Sequence, residues 1–351
     1  MEPTRLGVIG CGVISGHHLG QATASPLVDV VAVADLIEER AIGAAEKYDV
    51  PAHYFNDEDL LRDDRVEAVV LAMPVFDRTP VAYKALERGK HVLIEKPIAA
   101  NVGEVEKMMA LRGDLVVLCA SCRMGLTGHA AAAAKCVASG ALGEIRMVRI
   151  RAVHGAPPNP QDAPPPWRES MKLNGGGILV NWSCYELDYM MRIMGWQLKP
   201  KSVLAKWWPV ADKMAKYVDP CSDADAHYAA FIQCEDDIVI SMERGEFTSA
   251  TTDQAWEIIG TEGTLRLPMI PPEGRLNAAI LDKFVPGEGV VSETIWDEEQ
   301  AGGGESDMEH FMRAIREGTP LATDLERALV LQKVTDAIYA SAQSGASVSA
   351  S

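Results

Sequence analysis

The sequence predicts an α/β chain of two domains: a doubly wound parallel sheet first, then an α+β domain with a large, open, mostly antiparallel sheet. Three observations predict it. The length of 351 residues is too great for one simple core and suits two. The first 120 or so residues alternate strand and helix signals, the pattern of a parallel sheet covered by helices. From about Met124 that alternation stops, and long strand-like segments follow with few helices between them. The boundary therefore falls between residues 1–123 and 124–351.

Each element of the first domain has a local reason. Leu6–Gly10 is a short apolar run followed by a glycine-rich turn and a helical stretch to Ala24. Val28–Ala34 reads as a second strand and Leu36–Tyr48 as a second helix. Val66–Ala72 is a further strand, Pro80–Arg88 a helix, His91–Ile94 a strand and Leu115–Ala120 the last strand. Short apolar runs bounded by turn residues are what a strand buried on both faces requires.

Gly10-Cys11-Gly12-Val13-Ile14-Ser15 stands where the first strand meets the first helix. Glycine at position 10 suits a tight turn, and glycine at 12 lets the backbone approach a pyrophosphate at the helix N-terminus. Ser15 holds the third place, so the strict G-x-G-x-x-G is not met, and Gly16 follows. Asp35 ends the second strand, 23 residues after Gly12. A carboxylate there accepts from adenosine ribose hydroxyls and repels a 2′-phosphate, which predicts NAD over NADP; Asp also suits a helix N-cap ahead of Leu36. Glu95-Lys96-Pro97 follows the strand His91–Ile94 at its carboxyl end, where open α/β sheets place ligands. Lys96 there is a charged donor for a reactive carbinol or a surface lysine, and the Lys96–Pro97 bond is a candidate for cis.

With these residues the chain resembles the glucose–fructose oxidoreductase / inositol dehydrogenase / rhizopine catabolism (Gfo/Idh/MocA) family over nearly its whole length. The resemblance rests on Gly7–Ser15, Ala34-Asp35, Gly89–Pro97, Gly140–Ile145, Gly175–Gly177, Ile259–Thr264 and Ala314–Gly318. It implies a Rossmann domain, an NAD(P)-dependent activity, and Lys96 between nicotinamide and substrate. It also implies cofactor contacts from Gly10, Gly12, Val13, Ile14, Asp35, Met73, Pro74, Glu95, Lys96 and Arg123. Met73, Val75 and Arg78 stand where the family commonly has Thr, Asn and His, so the nicotinamide side departs from the family pattern.

In the second domain, helical His129–Gly140 leads into strand Ile145–His154 and a Pro-rich loop through Pro166. Further strands are expected at Ser202–Trp208, Ala226–Cys234, Ile238–Phe247, Ala255–Gly260 and Thr264–Leu267. A last helix is expected at Leu325–Gln343, and Gly345–Ser351 reads as a frayed tail. The resemblance implies that this helix crosses back over the dinucleotide domain.

Gly175-Gly176-Gly177 precedes a helical run Ile178–Met194 that is largely apolar. Asn181, Tyr185 and Asp188 stand at i, i+4 and i+7, on one face at 100° per residue. Buried polar groups need partners, supplied either by a ligand or by an internal network. In the family, the places of Asn181 and Tyr185 hold Asp and a catalytic His, and that of Asp188 holds Asp. His removes a hydroxyl proton readily near neutral pH, whereas the phenol of Tyr must be lowered, as a neighbouring Lys96 ammonium would do. The expected catalytic set is thus Lys96, Tyr185 and Asn181. His154 is the alternative base, and Trp167, Arg168, Trp182 and Asp188 are expected on the substrate side, Trp182 as a ring stacked on a sugar or as core packing.

Charge and composition exclude other classes. Fifty acidic against 33 basic residues give a net charge of −17, which argues against nucleic acid and membrane surfaces as partners. No apolar run reaches the ~18 residues of a membrane span, and no basic leader precedes Leu6, so a cytoplasmic protein is expected. The seven scattered cysteines include one C-x-x-C (Cys119, Cys122) without a second pair, and no metal site is expected. The reading is an NAD-dependent oxidoreductase for a sugar, cyclitol or derivative, and the resemblance implies a homodimer or homotetramer. A redox-neutral lyase, epimerase or glycosidase with transient oxidation, and a non-catalytic NAD-binding sensor, are its rivals.

Overall fold

The computed structural model describes residues 2–159, 164–271, 274, 277–300 and 304–350. The chain divides into two compact units, Met1–Arg123 with Glu305–Gln332, and Met124–Gly304 with Lys333–Ser351. The first unit opens with β1 (Thr4–Ile9), α1 (Ser15–Ala24), β2 (Val28–Ala34), α2 (Glu38–Tyr48), β3 (His53–Tyr54) and α3 (Asp57–Arg62). It continues with β4 (Ala68–Leu71), α4 (Val75–Glu87), β5 (His91–Ile94), α5 (Val102–Arg112) and β6 (Val117–Cys119). The six strands form one parallel sheet in the order β3-β2-β1-β4-β5-β6. Val69, Leu71, Val92 and Ile94 have no accessible surface, which explains why these strands read as continuous apolar runs rather than alternating ones. The strand order reverses between β1 and β4, and the crevice outside their carboxyl ends is where this architecture binds a ligand.

Several boundaries differ from those the sequence predicts. Helix α2 starts at Glu38 rather than Leu36, because the Asp35 carboxylate bonds the Cys11 and Ile37 amides and holds the intervening turn out of the helix. Helix α4 starts at Val75 and contains Pro80 in its interior instead of beginning there. Its first turn closes through the Arg78 amide on the Pro74 carbonyl and the Arg78 guanidinium on the Met73 carbonyl, before Pro80 removes one donor. Strand β6 is only three residues long and gives way to a 3₁₀ segment, Ala120–Leu126.

The second unit holds α6 (Gly128–Ala138), β7 (Ile145–Gly155), α7 (Met171–Asn174), a π-helical segment Leu179–Ser183 and α8 (Cys184–Ile193). Strands β8 (Pro200–Trp208), β9 (His227–Cys234), β10 (Val239–Thr248), β11 (Asp253–Gly260) and β12 (Gly263–Leu267) match the expected ones to within two residues. Strands β13 (Ala278–Val285) and β14 (Gly289–Asp297) form a further hairpin that the sequence reading left out. Helix α9 (Asp307–Glu317) belongs to the first unit; α10 (Leu325–Ser344) starts there, with Leu325 and Ala328 in that unit's core, and continues into the second. The chain closes with β15 (Val348–Ser349).

The second sheet has nine strands in the order β14-β13-β12-β11-β7-β10-β9-β8-β15, antiparallel throughout except for the β7–β10 pair. Strand β9 shows the alternation of a half-buried sheet, with Tyr228, Ala230, Ile232 and Cys234 buried and Phe231 and Gln233 exposed. The end of the chain is not frayed as expected. Val348 and Ser349 pair with Val203 and Ser202, the Ala350 amide bonds the Lys201 carbonyl, and Ala350 is buried. The Pro-rich loop after β7 lies partly outside the described residues. Among the described residues no helix is long and apolar enough to cross a membrane.

Candidate active site

In the first unit the residues expected to meet a dinucleotide stand at the carboxyl ends of β1, β2, β4 and β5 and just beyond β6. Gly10 has φ +93°, and a Cβ there would lie 2.6 Å from the Ala72 carbonyl oxygen, so the turn from β1 can pass the end of β4 only as glycine. A Cβ on Gly12 would meet nothing within 4 Å, and Val13 beside it is fully exposed. The loop thus offers open backbone at the start of α1. Ser15, in the place of a third glycine, is buried and donates its hydroxyl to the Gly12 carbonyl at 2.5 Å, closing the turn from within. Asp35 accepts from the Cys11 amide at 2.7 Å and from the Ile37 amide at 2.8 Å, which ties the end of β2 to the glycine turn. Burial, with the Asp35 charge adding to it, pushes the Cys11 thiol up to about 12 and makes it unreactive.

Met73 and Pro74 cap β4 and lead into α4. Arg78, almost without accessible surface, donates to the Met73 carbonyl at 2.7 Å and to the Pro97 carbonyl, bridging the ends of β4 and β5. The Lys96–Pro97 peptide is cis, and Lys96 is half-buried. Glu95 is buried: its Oε1 meets His18 Nε2 at 2.9 Å and Arg123 Nη2 at 2.8 Å, and its Oε2 accepts from the Lys96 amide at 3.0 Å. Arg123 also reaches Asp307 at the start of α9, at 2.8 Å, with His17 3.8 Å from the same carboxylate. Burial opposes the charge on Glu95, but the His18 hydrogen bond and the Arg123 charge outweigh it and hold the carboxyl far below its ordinary range. Asp307 is held at about 2, with burial again opposing and His17 and Arg123 prevailing. Glu95 and Arg123, expected as cofactor contacts, are thus also the centre of a buried ion network. His18 and Asp307 were missed because nothing local marks them.

In the second unit two glycines of the triplet are required by packing. A Cβ on Gly176 or Gly177 would stand 1.8 Å from the Tyr339 hydroxyl or 2.0 Å from the Asp225 carbonyl. The Asp225 carboxylate accepts from the Gly177 and Leu179 amides, each at 2.8 Å, and from the Tyr339 hydroxyl at 2.6 Å, capping the π-helical entry to α8. Asn181 donates through Nδ2 to the Gly177 carbonyl at 2.8 Å and the Arg168 carbonyl at 3.1 Å, and accepts from Asn174 at 3.3 Å. Of the two roles left open for this face, these partners belong to the internal network. The wide π turn between Asn181 and Tyr185 also alters the 100° spacing that placed Asn181, Tyr185 and Asp188 on one face.

Asp188, expected on the substrate side, has no accessible surface and is enclosed. Tyr185 is 5% exposed, its ring 5.8 Å from Trp182 and tilted by 59°. His154, on β7, is half-buried and within 3.2 Å of the Gln254 amide; burial and then the Arg244 charge lower its pKa. Trp167 and Arg168 lie on a 3₁₀ turn, Pro166–Glu169, with Arg168 paired to Glu246 at 3.2 Å. Glu169 on that turn is 4% exposed and is pushed up to about 7, first by burial and then by the Glu246 and Asp219 charges, against the Asp219 amide and Arg168. Arg244, also missed, sits on β10 in the inward register of Ile240 and Met242; a charge at an inward strand position was its available signal.

A reversal-point crevice with a glycine turn and an acidic β2 terminus, joined to a second α/β domain, defines a two-domain dinucleotide-binding protein. The chain belongs to the Gfo/Idh/MocA oxidoreductase family. Residues 4–119 match the family's NAD-binding Rossmann fold and residues 134–350 its C-terminal alpha/beta domain. The chain is 29% identical to dTDP-3,4-didehydro-2,6-dideoxy-alpha-D-glucose 3-reductase of Streptomyces violaceoruber over 278 residues, 77% of this chain and 75% of that protein. It is 27% identical to D-xylose 1-dehydrogenase (NADP(+)) 2 of Haloferax volcanii over 98% of both chains. An inositol 2-dehydrogenase of Rubrobacter xylanophilus is 39% identical over 116 residues, 32% of this chain and 33% of that one. The fold is shared with a levoglucosan dehydrogenase in complex with NADH, at TM-score 0.82, 20% identity and full coverage of both chains.

Two predictions follow from the charges. Glu95→Gln leaves Arg123 and His18 facing an uncharged group in a dry site, at an expected cost of about 3–5 kcal/mol in urea unfolding; a loss below about 1 kcal/mol would show that the network is not structural. Glu169 keeps a proton in the folded chain that the unfolded chain releases above its ordinary 4.5. Stability therefore falls as pH rises from about 4.5 to about 7 and stays lost above. Glu169→Gln is expected to melt higher than wild type at pH 8 and to match it near pH 4, and equal differences at both pH values would refute the assignment.

Proposed function

We propose that this protein is an NAD-dependent dehydrogenase that acts on a hydroxyl of a sugar, cyclitol or sugar derivative. The observation that carries the reading is Lys96 at the carboxyl end of β5, in a crevice whose glycine turn and Asp35 suit a dinucleotide. The relatives' names support the substrate class: a deoxysugar reductase, a xylose dehydrogenase and inositol dehydrogenases. The residues fit the cofactor, with open backbone at Gly12 and Val13 for a pyrophosphate and a fixed carboxylate at Asp35 for the ribose. A carboxylate in that place favours NAD over NADP, although one relative is named for NADP. When bound, the nicotinamide supplies the hydride chemistry.

The chain's own residues divide the remaining work. Lys96, its backbone held by Glu95 and the Pro97 carbonyl by Arg78, is assigned as the charged donor to the reacting oxygen. Tyr185 is assigned as the acid–base group that takes up and returns the hydroxyl proton, as a phenol can when a cation lowers it. Asn181 acts from its hydrogen-bond network by fixing the turn that carries Tyr185. Seven cysteines scattered along the chain, with a single C-x-x-C and no second pair, suit a reducing, cytoplasmic setting. Exposed Leu204 and Phe231 on β8 and β9 support self-association through the open sheet face, as a homodimer or homotetramer.

Lys96→Ala and Tyr185→Phe are each expected to lower kcat by about 10²–10⁴, followed by NADH formation on a panel of inositol, D-xylose and levoglucosan. The double variant should be no slower than the worse single one if both act on one proton transfer. An unchanged rate for Tyr185→Phe would pass the acid–base role to His154. The double change Leu204→Asp, Phe231→Asp should give a monomer in sedimentation velocity; an unaltered assembly would rule this face out.

A further inference from the structure

In the second unit, a fully buried ion pair stands behind Trp182, on the π-helical turn that leads into the helix carrying Tyr185. Glu186 on α8 has no accessible surface, and Arg244 on β10 has 2%; Arg244 Nη1 donates to Glu186 Oε1 at 2.5 Å. The Arg244 guanidinium lies over the Trp182 ring, 4.5 Å from its centre. Its Nε is buried without an acceptor among the described residues. Tyr228, paired with Arg244 across β9 and β10, donates its hydroxyl to Ser183 at 2.6 Å. Two neighbouring strand residues thus grip the helix at Ser183 and Glu186, on either side of Tyr185.

A buried ion pair is weak grounds for stability, since an apolar pair of similar volume often serves as well, and its best-attested use is to fix one arrangement over others. Here the arrangement it fixes is the plane of Trp182. A guanidinium over one face of an indole holds the ring by cation–π attraction and covers that face. Tyr185 borders the ring at 59°. Trp182 is nonetheless only half-buried, so part of its side chain stays accessible beside the residue assigned to the proton. A flat apolar surface with a fixed plane beside a proton-transfer group suits the C–H face of a six-membered polyol ring.

We propose that Trp182 is the ring-stacking platform of the substrate site and that Arg244, anchored by Glu186, is the positioning residue that sets its plane. This rests on the reading that the substrate is a ring-shaped sugar or cyclitol. Arg244 touches no substrate; it acts through Trp182.

The test uses the NAD-loaded full chain labelled with 5-fluorotryptophan, the Trp182 fluorine resonance being assigned from Trp182→Phe. Titration with inositol, D-xylose and levoglucosan should shift that resonance for at least one of them. Arg244→Met should move the resonance before any polyol is added and raise KM about tenfold with kcat nearly kept, and Arg244→Lys should restore part of both. Should Arg244→Met not fold, the titration of the wild-type chain and Arg244→Lys still decide. A Trp182 resonance that no polyol moves overturns the platform, whether or not NADH forms. A polyol that moves it without forming NADH upholds the platform and overturns the dehydrogenase reading instead.

Discussion

The Glu95 carboxylate sits at the end of a buried strand with almost no water around it, and the geometry of the dinucleotide-binding crevice depends on how it is satisfied. In so dry a place an unpaired charge is too costly to keep, so donors must converge on it. They come from three separate elements: His18 on the helix that follows the glycine turn, the Lys96 amide, and Arg123 beyond β6. Arg123 carries the constraint on to Asp307 and so fixes the start of α9. The result is that the glycine turn, the Lys96 peptide and the segment after β6 are set by one electrostatic centre. Arg78 extends the same economy to the end of β4 by binding the Met73 and Pro97 carbonyls.

The second unit solves a similar problem with different chemistry. Its helix α8 begins in a π-helical turn whose amides are capped by Asp225, and the capping residue approaches so closely that Gly177 admits no side chain. Further along, Tyr228 and Arg244 reach up from adjacent strands to Ser183 and Glu186. Polar groups on the inward face of a sheet are tolerated because each finds a partner on the helix above it. The helix carrying Asn181, Trp182 and Tyr185 is therefore fixed in height, rotation and start point.

How legible this was in the sequence varied with the range of the interaction. Five of the six parallel strands, the glycine turn, Asp35 at the end of β2 and the Glu-Lys-Pro segment are legible directly, because turn chemistry and apolar runs are local; the two-residue β3 is too short to carry such a signal. The start of α2 was misjudged by two residues because the Asp35 carboxylate bonds a residue 24 positions away. The interior position of Pro80 went unread for a similar reason: Arg78 stabilises the turn ahead of it through contacts outside the helix. Asn181 was read as one of three aligned polar groups, but the π turn and the carbonyls of Arg168 and Gly177 gave it a structural place.

The sequence by itself determined the two-domain division, most of the strands, the family, the dinucleotide crevice and the identity of the segments that bear Lys96 and Tyr185. Periodicity, glycine and proline placement, and residue type at strand ends act over a few positions and need no tertiary information. Only the tertiary structure decided which charges meet. His18 and Glu95 are 77 residues apart, Arg123 and Asp307 are 184 apart, and Glu186 and Arg244 are 58 apart. Each is an ordinary polar residue in its own stretch of chain. What makes them a set is that folding removes water from all of them at once, and a charge stripped of water must be answered by whichever group the fold brings within reach.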